Sequence, residues 1–141
     1  MTGLSDRVVY KNTTIEKLNA EDPDKKFDLV CCSEVIEHVS NQKEFLQSCM
    51  NRVKPDGLFF LSTIAKTYEG YITNILFGEY ILGLLPKGTH EYDLFISHDT
   101  VMEHVRDRLS LVEAKGVALK NPLTFEMCES DNLRVNYMMM C

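Results

Sequence analysis

Ser33–His38, SEVIEH, places two carboxylates and an imidazole directly after the apolar run Phe27–Cys32. If the segment turns helically, Glu34, Glu37 and His38 stand at i, i+3 and i+4 and share one face. Two carboxylates with one imidazole suit a divalent ion such as Mg²⁺, Mn²⁺ or Zn²⁺, and suit an acid–base pair equally well. The competing reading is a solvated helix start, with the glutamates favoured by the positive end of the helix and His38 on the surface. Spacing alone leaves these alternatives open.

The elements that must position these residues follow from periodicity. Phe27–Cys32, FDLVCC, is nearly all apolar, as strands covered on both faces of a parallel sheet are. Beyond it, Phe45, Leu46, Cys49, Met50 and Val53 recur at helical spacing, and Asn41 with Glu44 forms a capping pattern. Lys54-Pro55-Asp56-Gly57 then reads as a turn and Leu58–Ile64 as a second buried strand. Strand, helix and strand in that order make a βαβ unit with a parallel crossover.

Upstream, Arg7–Lys11 reads as a strand, followed by a helical turn at Ile15–Leu18 and the turn signal Asp22-Pro23-Asp24. Tyr68–Leu85 reads as a helix with a broad apolar face. Ser97 caps a helix bearing Val101, Met102, Val105 and Leu109, and places His98 and His104 on its surface. Leu111–Leu119 and Leu133–Met140 read as two more strands, joined by a polar stretch around Glu126–Asn132, with Met138–Met140 packing into the core. This alternation predicts a single α/β domain over residues 1–141.

Composition narrows the function. Fifteen basic against twenty-one acidic residues give a net charge of -6, a poor match to a phosphate backbone, so nucleic acid is not expected as a partner. The five cysteines are irregularly spaced, with no C-x-x-C pair, and indicate reduced thiols. MTGLSDRVVYKN has neither the apolar core of a secretory signal nor an Arg-rich presequence pattern. No run of about 18 uncharged apolar residues suggests a membrane span.

Taken together, FDLVCCSEVIEHV, VKPDGLFFLST, EYILGLLPKGTHEYDLFI and NPLTF…VNYMM resemble the ubiquinone (coenzyme Q) biosynthesis O-methyltransferases, a class I S-adenosylmethionine-dependent family. The likeness runs from about Leu4 to Met140. It implies a Rossmann-like sheet and methyl transfer from S-adenosylmethionine to a catechol-type hydroxyl on a polyprenylated dihydroxybenzoate or demethylubiquinol-type ring. It also implies a divalent metal, Mg by preference, on Glu34, Glu37 and His38, with Ser33, Thr14 and Ile15 on the donor side. His90, in the PKGTH stretch, becomes the candidate for substrate contact or proton transfer. A metal beside a catechol would lower the hydroxyl's pKa and orient its oxygen.

The resemblance further makes residues 66–90 a substrate-side insertion, with Tyr68–Leu85 lying on the membrane surface that holds the lipid substrate. It implies other quinone-biosynthesis proteins as partners and a peripheral place on the matrix face of the mitochondrial inner membrane.

The chain also departs from that pattern. The family's glycine-rich donor-binding turn has no counterpart, since the seven glycines are scattered singly. The likeness starts near the third strand, so the sheet is expected to be incomplete, with the first two strands absent and apolar strand edges left open. Weak donor binding by the chain on its own follows. Two other functions stay in view: a non-catalytic scaffold in a quinone-biosynthesis complex, and a methyltransferase acting on a different small molecule.

Overall fold

The computed structural model describes residues 7–75, 88, 91–121, 124 and 126–141. Within them a five-stranded sheet runs in the order β1-β2-β5-β3-β4, formed by β1 (Phe27–Ser33), β2 (Val53–Ile64), β3 (Glu113–Asn121), β4 (Glu126–Ser130) and β5 (Asn136–Met140). β1 and β2 are parallel, with Leu29 beside Leu58 and Ser33 beside Ser62. β5 is antiparallel to both β2 and β3, and β4 is antiparallel to β3.

Among the described residues four α-helices accompany the sheet: α1 (Ile15–Glu21), α2 (Gln42–Met50), the short α3 (Tyr68–Gly70) and α4 (His98–Val105). The expected caps are formed. Asn41 Oδ1 accepts from the backbone N–H of Glu44 at 3.3 Å and Ser97 Oγ from that of Thr100 at 3.1 Å, so each satisfies an orphan donor of its helix. Leu46, Cys49 and Met50 of α2 and Val101 and Val105 of α4 pack on Cys32, Phe59, Leu61, Tyr137 and Met139 of the sheet. Each such large aliphatic side chain contributes about 1.5–3 kcal/mol through burial.

Five expectations change. Arg7–Lys11 is irregular rather than a strand, with Val9 83% and Tyr10 92% exposed, because among the described residues no strand lies beside it to take its hydrogen bonds. Lys54–Gly57 does not form a turn, and β2 starts at Val53, because Phe27 pairs with Val53 and an irregularity before Leu29 absorbs the extra residues. Glu126–Ser130 is a strand, recruited by pairing with β3. His98 is half-buried against the Tyr137 ring, 6.1 Å between centroids, rather than on the surface.

The fifth change concerns the sheet's two faces. α2 and α4 cover the side carrying Cys32, Phe59, Leu61, Tyr137 and Met139. On the other side, Leu29 and Leu58 are 52% and 41% exposed, Cys31 is exposed, and Phe60, Met138 and Met140 are only partly covered. Near the carboxyl end of β2 this side closes, where, among the described residues, Ile64, Ile75 and Phe95 form a small cluster. β1 is thus apolar for two faces but covered on one.

Candidate functional site

The carboxyl ends of β1 and β2 lie side by side, where ligands of open α/β sheets bind. Ser62 Oγ donates to Glu34 Oε1 at 2.7 Å, which leaves Ser33 Oγ, 3.0 Å away, to donate to Ser62. Two consecutive hydrogen bonds, Ser33 to Ser62 and Ser62 to Glu34, therefore form a hydroxyl-to-carboxylate chain at the rim. The backbone N–H of Glu34 also donates to the Ser62 carbonyl at 3.0 Å.

Glu34 has a left-handed backbone, φ 51, costing about 1–2 kcal/mol for a residue with a side chain. The chain turns there before Ile36–His38 forms a short 3-10 helix, anchored by the wholly buried Ile36. Glu37 is only 2% exposed, and its Oε2 accepts from Thr63 Oγ1 at 2.8 Å. Because Ser62 and Thr63 are neighbours on a strand, their side chains leave opposite faces. The two carboxylates follow them.

This arrangement corrects the expected shared helical face. Glu34 precedes the helical turn instead of belonging to it, so the i, i+3, i+4 argument fails at its first residue. Among the described residues no group of three His, Cys, Asp or Glu side chains could hold a metal ion. A Glu, Glu, His donor set is chemically fit for a divalent ion, but Glu37 is committed to Thr63 on the helix-covered side, and the set does not fit one ion as placed. Ser33 stands at the rim as expected. Thr14 caps α1, its Oγ1 accepting from Lys17 N–H at 3.3 Å, and Ile15 packs against the core. His90, and most of the 66–90 insertion, lie outside the described residues.

A cleft of about 320 Å³ opens beside this rim, lined by Lys66, Asp93, Phe95, Ile96, Gln42, Ser97 and Thr100. Lys66 Nζ donates to the Asp93 carbonyl at 2.8 Å and sits 5.8 Å over the Tyr92 ring. Gln42 ties the cleft to the motif, its Nε2 donating to the carbonyls of Ile36, at 3.2 Å, and Leu94. The sequence marks Ser97 as a cap, whereas Lys66, Gln42 and Thr100 belong to no motif. Their positions, just after a strand and in the first turn of two helices, were the available signal.

Burial sets the ionisation nearby. The Cys32 and Cys49 thiols are each pushed up to about 12, chiefly by desolvation, with Cys49 and Glu37 adding to the effect at Cys32 and Glu16 at Cys49. The Tyr137 phenol is raised by burial and then by the charges of Glu37 and Asp99, and it donates to the Ile96 carbonyl at 3.2 Å. Neither thiol is a nucleophile at neutral pH.

A methyltransferase-domain family matches residues 4–114. The chain belongs to that family. Among related methyltransferases, the ubiquinone biosynthesis O-methyltransferase of Rickettsia conorii is 40% identical over 134 residues, 94% of this chain and 45% of the relative. The mitochondrial ubiquinone biosynthesis O-methyltransferase of Dictyostelium discoideum is 40% identical over 131 residues, 92% of this chain and 40% of the relative. The chain thus spans about half the length, or less, of these relatives.

Two solved methyltransferases share the fold. An O-methyltransferase family protein from Burkholderia thailandensis superposes with a TM-score of 0.58 at 15% identity, covering 97% of this chain and 36% of that one. A SAM-dependent methyltransferase from Thermotoga maritima, described as a possible histamine N-methyltransferase, gives 0.54 at 17% identity, covering 83% of this chain and 56% of that one. The α/β sheet of this chain therefore has the class I methyltransferase fold.

Proposed function

We propose that this chain carries the substrate-side half of an S-adenosylmethionine-dependent O-methyltransferase acting on a polyprenylated catechol in ubiquinone biosynthesis. Identity of 40% over 94% of the chain to an enzyme named for that pathway carries the reading. The rim geometry supports it. Ser33 meets the donor side, and Glu34, exposed and oriented by Ser62, accepts the hydrogen of the substrate hydroxyl. As the O–H bond breaks, its electron pair forms the new O–CH₃ bond while the methyl–sulfur bond breaks and neutral S-adenosylhomocysteine leaves. Lys66 and the Phe95 wall bound the neighbouring cleft on the substrate side.

His90 is retained as a second candidate for substrate contact, and Tyr68–Leu85 as the segment that meets the lipid surface. Among the described residues no helix is long and apolar enough to cross a membrane. The place proposed is the matrix face of the mitochondrial inner membrane; the name of the Dictyostelium discoideum relative supports its mitochondrial part alone.

A scaffold role in a quinone-biosynthesis complex is the second reading. Fusing the amino-terminal half of the Rickettsia conorii relative to this chain separates the two. Methyl transfer to a polyprenylated catechol, reduced a hundredfold or more by Glu34→Gln, supports the enzyme. A folded fusion that binds donor and shows no transfer to any catechol overturns it.

A further inference from the structure

We propose, resting on the methyl-transfer reading of the rim, that Lys66 is a specificity-determining residue which selects catechols whose ring carries a carboxylate. The cleft of about 320 Å³ beside the rim is lined by Lys66 together with Asp93, Phe95, Ser97 and Thr100. Lys66 follows Ser62, the hydrogen-bond partner of Glu34, in the same stretch of chain, at most about 14 Å away even if that stretch were fully extended. One substituted ring and a lysine side chain bridge such a span.

Lys66 is held differently from the lysines of the sheet. Lys54 pairs with Asp28 at 2.8 Å, Lys115 with Asp131 at 2.7 Å and Lys120 with Glu126 at 2.6 Å, so each of those charges is answered within the chain. Lys66 Nζ instead donates to the Asp93 carbonyl at 2.8 Å and stands 5.8 Å over the Tyr92 ring. Both partners are neutral, and no carboxylate among the described residues pairs with this ammonium. Beyond the bond to Asp93 it keeps further hydrogens for a ligand, backed by a full positive charge.

Ser97 and Thr100 add another donor. Their hydroxyls are 2.8 Å apart and share one hydrogen, whichever side gives it, so the pair keeps one O–H to direct elsewhere. Gln42 adds none, since its amide hydrogens go to the carbonyls of Ile36 and Leu94. Donors gathered about one cation suit the paired oxygens of a carboxylate. Asp93 on the cleft wall and the wholly exposed Asp99 repel a doubly charged phosphate, so a single negative charge balanced by Lys66 is the better match. A neutral ring would leave the ammonium without an anion.

Heteronuclear NMR of the full chain, titrated with 3,4-dihydroxybenzoate and separately with catechol, tests this without turnover. Saturable shifts at the Lys66 and Thr100 amides are expected from the acid, with a Kd roughly tenfold below that of catechol, the scale of one hydrogen bond to a charged group. In Lys66→Met the two ligands should bind alike, whereas Lys66→Arg, which keeps the charge, should retain the preference. Lys66 is exposed, and a circular-dichroism melt confirms that each variant folds. Inorganic phosphate should not displace the acid. Equal Kd values in the unaltered chain, no saturable shift at either amide, displacement by phosphate, or a preference that survives Lys66→Met would each overturn the proposal. Failure of the enzymatic reading shows separately, as a fusion without methyl transfer, and does not alter these Kd values.

Discussion

The hydroxyl of Thr63 lies 2.8 Å from Oε2 of Glu37, and both side chains are sealed from water. This bond fixes one carboxylate of the SEVIEH motif beneath the rim while Ser62 holds the other at the surface. Replacing Thr63 by Val keeps the volume but leaves a buried carboxylate without its donor, at a cost of about 1–3 kcal/mol. For a chain of this size the melting temperature should drop by several degrees. Thr63→Ser, which keeps the hydroxyl, should recover most of the loss in a thermal melt at pH 7.

Gly116 on β3 tolerates no side chain. A Cβ built there would stand 1.9 Å from the carbonyl oxygen of Asn132, a backbone atom that cannot swing aside. Gly116→Ala should cost at least about 2–3 kcal/mol, by analogy with overpacked cores. Urea unfolding should show a lower midpoint with an unchanged slope.

Thiol chemistry should divide the cysteines. In a dilute sample at pH 8, an aromatic disulfide reagent should titrate Cys31 and Cys128 quickly, while Cys32, Cys49 and Cys141 react only on unfolding. Linkage gives the companion result. The unfolded thiols ionise near their ordinary value of about 8.5, whereas Cys32 and Cys49 in the folded chain hold their protons to about 12. The unfolded state thus binds fewer protons across that window, and stability should be flat below about pH 8 and fall as pH rises from there towards 12. Serine at both positions would remove the thiol contribution.

Calorimetry with S-adenosylmethionine should show binding to the chain alone that is weak or absent. Ser33 is at the rim, but Thr14 is occupied with capping α1 and no glycine-rich turn is present to admit the donor's backbone contacts. A micromolar Kd for the isolated chain would contradict this.

Much of the fold was legible because it depended on local signals. Asn41 and Ser97 announce their helices through short-range capping chemistry, and the parallel pairing of β1 with β2 follows from the helix between them. What escaped depended on partners distant in sequence. Arg7–Lys11 has strand-like residues but no neighbour, and Glu126–Ser130 has polar residues but acquires one in β3. The site divides in the same way. Ser33 and Glu34 are readable as a strand end, whereas the left-handed φ of Glu34 and the hydroxyls of Ser62 and Thr63 that separate the glutamates emerge only when β2 is laid alongside.

The position of β5 bears on how the molecule assembles. It is the last strand in sequence, yet it lies between β2 and β3 and joins the parallel pair to the β3–β4 hairpin. During synthesis those two ribbons can form early but have no common seam, so consolidation must wait for Asn136–Met140. That late, long-range closure predicts slow refolding in which hairpin signals precede loss of tyrosine exposure at Tyr137.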